Sequence, residues 1–213
     1  MKNTVIFDLD GTLLNTLSDL TDSMNYALAL YGLSTIGEED AKMMLGKGVE
    51  YFARKAIAKD DEKMIKSVVD AFKKYYKNHS ADRTAPYEGV LPLLRTLKSM
   101  SIKTAIVSNK LQFAVTDLNA TMFENLIDVA IGERDGVQRK PSPDMVFLAL
   151  NSLKSTPSET LYVGDSDTDL LTAANAGLDA VAVTWGFRSR EFLLNHGAKR
   201  LIDKPEEILR YLS

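Results

Sequence analysis

An α/β fold, an open parallel sheet interrupted by one helical insertion, is what this sequence of 213 residues predicts. Three observations lead there. The chain opens on "TVIF", a short unbroken run of β-formers of the kind found in parallel strands covered on both faces. From about residue 16 to residue 80 the apolar spacing is helical throughout. After "TAPYEGV" (residues 84–90) strand and helix patterns alternate to the end, the signature of βαβ units with right-handed crossovers. The first strand belongs to the same sheet as the later ones. The expected organisation is therefore a core of residues 1–14 and 84–213 and a helical cap of residues 15–83.

The elements follow in order. Thr4 to Phe7 form the first strand. Leu17, Leu20, Met24, Ala27, Leu28 and Tyr31 recur at spacings of three and four, "TLSD" has the form of a capping box, and Gly32 supplies a stop, which predicts a helix over 17–31. Further helices are expected over 38–45, 49–58 and 61–76. Pro86 and Gly89 punctuate the return to the core. Strands are expected over 103–108, 126–132, 160–164 and 179–183, with a shorter one over 200–202, each separated from the next by a helix.

Composition narrows the function. With 45% apolar residues the chain can build a full core, and a net charge of −3 offers no basic stripe for nucleic acid. A small-molecule partner fits better. The absence of cysteine rules out disulfides, a thiolate nucleophile and a zinc–thiolate site. "MKNTVIFD" meets a charge after three apolar residues, and no later run is long enough to span a bilayer, so a soluble, cytoplasmic protein without membrane partners is expected.

In an open parallel sheet, ligands bind beyond the carboxyl ends of the strands. The residues expected there are Asp8 and Asp10, Ser108 and Asn109, Gly132 and Glu133, Gly164 and Asp165, and Thr184 to Gly186, with Lys140 in the loop after the third core strand. Asp8 and Asp10, two apart in extended chain, face the same side. With Asp165 and Asp169 nearby they repel strongly, each close pair costing on the order of several kcal/mol. A cation is required. An oxygen-only ligand set suits a hard ion, and Mg²⁺, which binds through a few carboxylates plus a substrate phosphate, fits best. Lys140 adds a second positive charge, and the Ser108 hydroxyl, the Asn109 amide and Gly11 or loop amides are candidate phosphate donors. An ionised aspartate needs no base to attack phosphorus. Asp8 is thus the expected nucleophile, forming an aspartyl-phosphate, and Asp10 the general acid that protonates the leaving oxygen and then activates water.

Together "DLDGTLLNT", "SNK", "KPSP" and "GDSDTD" resemble the four motifs of the haloacid dehalogenase superfamily, in order along the whole chain; "PYEGV" and "VTWGF" resemble its phosphoglycolate phosphatase group. The resemblance implies a Rossmann-like core with a small helical cap. It also implies that Asp8, the Asp10 backbone carbonyl and Asp165 are metal ligands, with Asp169 and Gly164 supporting. "LGKGV" is similar to the group's Gly-rich specificity loop, which makes Gly46, Lys47 and Gly48 candidates for substrate contact, Lys47 with an anionic substrate end. Asn15 and Thr16 depart from the usual Asp and Ser after "DGTL". Leu20, where mutase relatives carry histidine, disfavours that branch, and Asp10 disfavours the dehalogenases and phosphonate hydrolases.

Two other motifs fail. "DSDTD" is no calcium loop, because Leu170 and Ala176 occupy the positions that need Gly and Glu, and "GKG" is no P-loop, because Ala41 stands at the first Gly and no Ser or Thr follows Lys47. The leading expectation is a Mg²⁺-dependent phosphatase for a small phosphorylated metabolite. The alternatives are a pyrophosphatase or nucleotidase on the same scaffold, or a poorly active phosphate-binding regulator.

Overall fold

The computed structural model describes residues 1–212; Ser213, the last residue of the expected core segment, lies outside them. In chain order the elements are β1 (Thr4–Phe7), β2 (Leu14–Asn15), α1 (Leu17–Leu30), α2 (Glu38–Met44), α3 (Val49–Ile57), α4 (Glu62–His79) and β3 (Ala85–Pro86). There follow α5 (Val90–Ser99), β4 (Lys103–Leu111), α6 (Gln112–Met122), β5 (Val129–Glu133), α7 (Asp144–Leu153), β6 (Thr160–Gly164), α8 (Asp167–Asn175), β7 (Asp179–Val183), α9 (Arg190–Asn195) and β8 (Leu201–Ile202).

Six strands form one parallel sheet in the order β5-β4-β1-β6-β7-β8. β1 lies at its centre, paired on one side with β4 and on the other with β6. The chain leaves β1 toward β4 and leaves β6 toward β7, so the loops part company between β1 and β6. That divergence opens the crevice in which doubly wound sheets bind ligands. Alternation within β1 explains its burial: Val5 and Phe7 pack with α5 and α6 through Leu94 and Val115, while Ile6 packs on the other face with Met145 and Ala149 of α7.

The helices α1–α4 sit in the chain between β2 and β3 and share their own apolar cluster, built on Met24, Leu28, Phe52, Val68 and Phe72 and touched by Ala114 and Phe187 from the sheet side. Among the described residues no helix is long and apolar enough to cross a membrane.

Three details depart from the sequence expectation. β2 and β3 pair antiparallel, Leu14 with Pro86 and Asn15 with Ala85, tying together the two connections to the helical segment; two-residue strands leave no periodic trace. β5 begins at Val129 and not at Leu126, because Glu124 and Asn125 both take left-handed conformations and the apolar run that follows is still completing a turn. β4 continues past Ser108 to Leu111 through an irregularity in its pairing with β5.

Candidate active site

The β1 ladder runs one residue beyond the strand: the Asp8 amide donates to the Val163 carbonyl at 2.9 Å, which fixes Asp8 at the edge of the central crevice. Asp165 follows β6 directly, and Asp169 sits at the third position of α8, where it and Ser166 form a reciprocal capping box. Asp8, Asp165 and Asp169 each present a carboxylate oxygen within 4.8 Å of the others, and all three are buried. Backbone without side chains makes this approach possible. A Cβ on Gly164 would lie 2.3 Å from the Asp169 carboxyl carbon, and one on Gly186 would lie 2.4 Å from both Asp165 Cβ and the Gly11 carbonyl oxygen.

Three carboxylates so close are expensive to ionise together. Burial, with repulsion from Asp169, pushes the Asp8 carboxyl up to about 8 against the pull of Lys140. Burial and Asp169 likewise push Asp165 up to about 7, against the Phe187 amide. Their hydrogen bonds divide the roles. Asp169 is fully engaged: Oδ1 accepts from Lys140 Nζ at 2.7 Å and Tyr162 Oη at 3.1 Å, and Oδ2 from Ser166 Oγ at 2.6 Å and its amide at 3.1 Å. Asp165 takes one donor per oxygen, Thr12 Oγ1 at 3.1 Å and the Phe187 amide at 2.7 Å. Asp8 Oδ1 is buried and ion-paired with Lys140 Nζ at 2.8 Å. Free lone pairs therefore remain on Asp8 and Asp165, an all-oxygen donor set facing excess negative charge, and these residues fit a hard divalent cation. The acidic cluster can hold a metal.

Lys140 is buried between Asp8 and Asp169. Burial opposes its charge, yet Asp169 and Asp8 more than offset this and hold the ammonium well above the ordinary lysine value. Its backbone is clamped by Asn109, whose Oδ1 accepts from the Lys140 amide at 2.8 Å while Nδ2 donates to the Lys140 carbonyl and to that of Gly46, each at 3.0 Å. Both amide hydrogens of Asn109 are thus engaged in this structure, by the Lys140 carbonyl and by the Gly46 loop. Ser108 Oγ accepts from the Lys110 amide at 3.3 Å and keeps its own proton for another acceptor.

Asp10 faces the same chamber as Asp8 and is held on one oxygen by Thr16 Oγ1 at 2.8 Å and Lys110 Nζ at 2.7 Å. Lys110, the last residue of "SNK", receives no role from sequence reasoning, since nothing local shows that its ammonium meets Asp10. The expected capping box at "TLSD" is also overturned. Thr16 spends its hydroxyl on Asp10, and Asp19 turns to the other connection, accepting from the Arg83 amide and from the Thr84 amide and hydroxyl. The β2–β3 pairing brings that second connection within reach.

The helical segment closes the chamber. Gly46 and Gly48 line it together with Leu45, Phe52, Phe72 and Tyr76. Lys47 does not. Its ammonium lies 3.5 Å from Asp167 Oδ2, on a neighbouring surface cleft with Lys73 and Arg139, because flanking glycines turn the side chain away from the chamber that their backbone borders. Arg188, buried after β7, donates to the carbonyls of Lys42, Met43 and Leu45 at the end of α2, a second bond between the sheet side and the helices.

The family model of haloacid dehalogenase-like hydrolases matches residues 5–183. This chain belongs to that family. It is 30% identical to the pyrophosphatase PpaX of Bacillus cereus over 99% of this chain and 96% of that one. A candidate phosphoglycolate phosphatase structure from Lactobacillus delbrueckii subsp. bulgaricus superposes with a TM-score of 0.93 at 34% identity, covering 100% of this chain and 99% of the other. A candidate haloacid dehalogenase-like hydrolase from Bacteroides fragilis superposes with a TM-score of 0.90 at 27% identity, covering 98% and 100%. Family membership makes the chain a hydrolase, and the fold assigned from strand and helix alternation is that of its structural neighbours.

Proposed function

We propose that this hydrolase is a Mg²⁺-dependent phosphatase for a small phosphorylated metabolite, a phosphomonoester of the phosphoglycolate-like size class. The observation that carries the reading is the meeting, at the centre of one sheet edge, of Asp8, the Lys140 ammonium paired with it at 2.8 Å, and a second chamber-facing carboxylate, Asp10. Asp8 attacks phosphorus and the bond to the leaving oxygen breaks, giving an aspartyl-phosphate. Asp10 delivers its proton to that leaving oxygen. It then takes a proton from water, which attacks the aspartyl-phosphate, releases phosphate and regenerates Asp8. Ser108 and Lys140 bind phosphoryl oxygens, and Asn109 and Asp169 hold Lys140 in place. Asp8, Asp165 and the Asp10 carbonyl would hold Mg²⁺, which when bound supplies positive charge to the transferring phosphoryl group.

The same reading divides the chain into a core (residues 1–14 and 84–213) and a cap (15–83) that closes over the crevice and excludes water. Asp8→Asn should abolish phosphate release while circular dichroism and the unfolding midpoint stay near those of the parent. Retained turnover would remove the nucleophile assignment. A pyrophosphatase is the second reading, favoured by the relative of that name. Comparing kcat/KM for pyrophosphate with that for phosphomonoesters separates the two.

A further inference from the structure

The loop between α2 and α3 forms part of the chamber rim, where Leu45, Gly46 and Gly48 line it. Its polar ties to the sheet side are few. Among the described residues only two core side chains hydrogen-bond the stretch from α2 to α3: Asn109, on the Gly46 carbonyl at 3.0 Å, and Arg188. The Lys47–Asp167 pair is partly exposed and contributes little.

Arg188 takes the larger share. Its guanidinium is buried; Nη1 donates to the Lys42 carbonyl, and Nη2 to the Leu45 carbonyl at 2.9 Å and, at 3.5 Å, to that of Met43. The last carbonyls of a helix have no partner within it, so the end of α2 and the guanidinium satisfy each other. The base from which Arg188 projects is fixed on a carboxylate of the acidic cluster. Trp185 Nε1 donates to the Thr12 carbonyl at 3.0 Å, Gly186 has no room for a Cβ beside Asp165, and the Phe187 amide donates to Asp165 Oδ2 at 2.7 Å. The Phe187 ring packs into the helical cluster. One short segment thus touches Asp165 with its backbone and α2 with its next side chain.

We infer that Arg188 is a positioning residue: it clasps the end of α2, holds the α2–α3 loop over the chamber, and so sets how tightly substrate is kept. This rests on the phosphatase reading above and adds to it the group that holds the helical wall in place. Such a clasp is reversible, because on opening water hydrates both the guanidinium and the carbonyls. The planar fork matters as much as the charge, since a lysine ammonium is a single point that cannot present rigid N–H pairs to separate carbonyls. Arg188 also acts through space: burial raises the Asp165 carboxyl, and the Phe187 amide and the Arg188 charge draw it down. Arg188→Lys keeps that charge and loses the fork, which isolates the clasp.

The test joins steady-state kinetics of the full chain with 2-phosphoglycolate and phenyl phosphate at saturating Mg²⁺ to backbone hydrogen exchange of the metal-free proteins. KM for both esters should rise about three- to tenfold in Arg188→Lys and at least about tenfold in Arg188→Met, with kcat within about threefold, because a less populated binding-competent state weakens apparent affinity by that fraction. Exchange over residues 41–48 should accelerate by the same factors while that of α4 stays at the parent rate, a contrast that general destabilisation does not produce. An Arg188→Lys protein with the parent's KM, or with the parent's exchange over 41–48, overturns the inference, as does a loss in kcat at unchanged KM; each leaves the phosphatase reading standing. Should Arg188→Met fail to fold, the Arg188→Lys arm decides alone. A parent that hydrolyses no phosphomonoester removes the phosphatase reading and the substrate role of Arg188 together.

Discussion

The two walls of the chamber are built on opposite plans. On the sheet side the supporting polar groups are spoken for: Asp169 accepts four hydrogen bonds, Asn109 spends both amide hydrogens, and the backbone at Gly11, Gly164 and Gly186 lies so close to the carboxylates that an added Cβ would come within 2.4 Å of Asp165 or Asp169 atoms. On the helical side the wall is hydrocarbon and glycine backbone with one phenol, Tyr76. Positions on the first wall are set by backbone and by charge, so small displacements are costly; positions on the second are set by packing, which tolerates exchange of similar volumes. On the proposed reading, chemistry sits on the wall held by backbone and charge, and selectivity on the wall held by packing.

The comparison breaks first at Gly186. Adding one methyl there drives into Asp165 Cβ and the Gly11 carbonyl, both at 2.4 Å, so Gly186→Ala should lower kcat by about a hundredfold and depress the melting temperature. A kcat within threefold of the parent would mean that the sheet side is not rigid. Next comes Asp19, which ties α1 to the returning connection. Asp19→Ala strands the Arg83 and Thr84 amides and should shift urea denaturation by about 2–3 kcal/mol, leaving the chemical step on the sheet side near its parent rate.

The carboxylate cluster gives a pH signature that the hydrocarbon wall cannot. Burial and mutual repulsion raise Asp8 to about 8 and Asp165 to about 7, so between pH 4 and pH 8 the folded protein holds protons that the unfolded chain has released. Stability of metal-free protein should therefore fall as pH rises through that window, and Mg²⁺ should restore more of it at pH 8 than at pH 5. Thermal unfolding with and without the ion reads both; a metal-free melting temperature that climbs from pH 5 to pH 8 contradicts the cluster's charge. The smallest effect belongs to Lys47, whose partly exposed pairing with Asp167 lies outside the chamber. Lys47→Ala should change kcat/KM by less than about twofold and stability by less than about 0.5 kcal/mol.

Much of this was legible in the amino-acid order, and the divide follows the range of the interaction. β1, β6 and β7 were readable because buried parallel strands are short unbroken apolar runs, and α1 to α4 because one face of each repeats at helical spacing. Asp8 and Asp165 were readable as the residues that end such strands. Local rules misled where a side chain found a distant partner. Thr16 and Asp19 form no capping box because Asp10 and Thr84 compete for them, the latter 65 residues away, and Asp10 meets a lysine 100 residues further on.

By itself, then, the sequence determined the helices, the central strands of the parallel sheet and the carboxylates that terminate two of them, since backbone pattern is written in neighbours a few residues apart. Only the tertiary structure decided that Lys140 is buried between Asp8 and Asp169, that Asn109 holds its backbone, that Lys47 pairs with Asp167 and that Lys110 reaches Asp10. Those outcomes depend on which donors packing brings within about 3 Å of one another, and no local spacing encodes that.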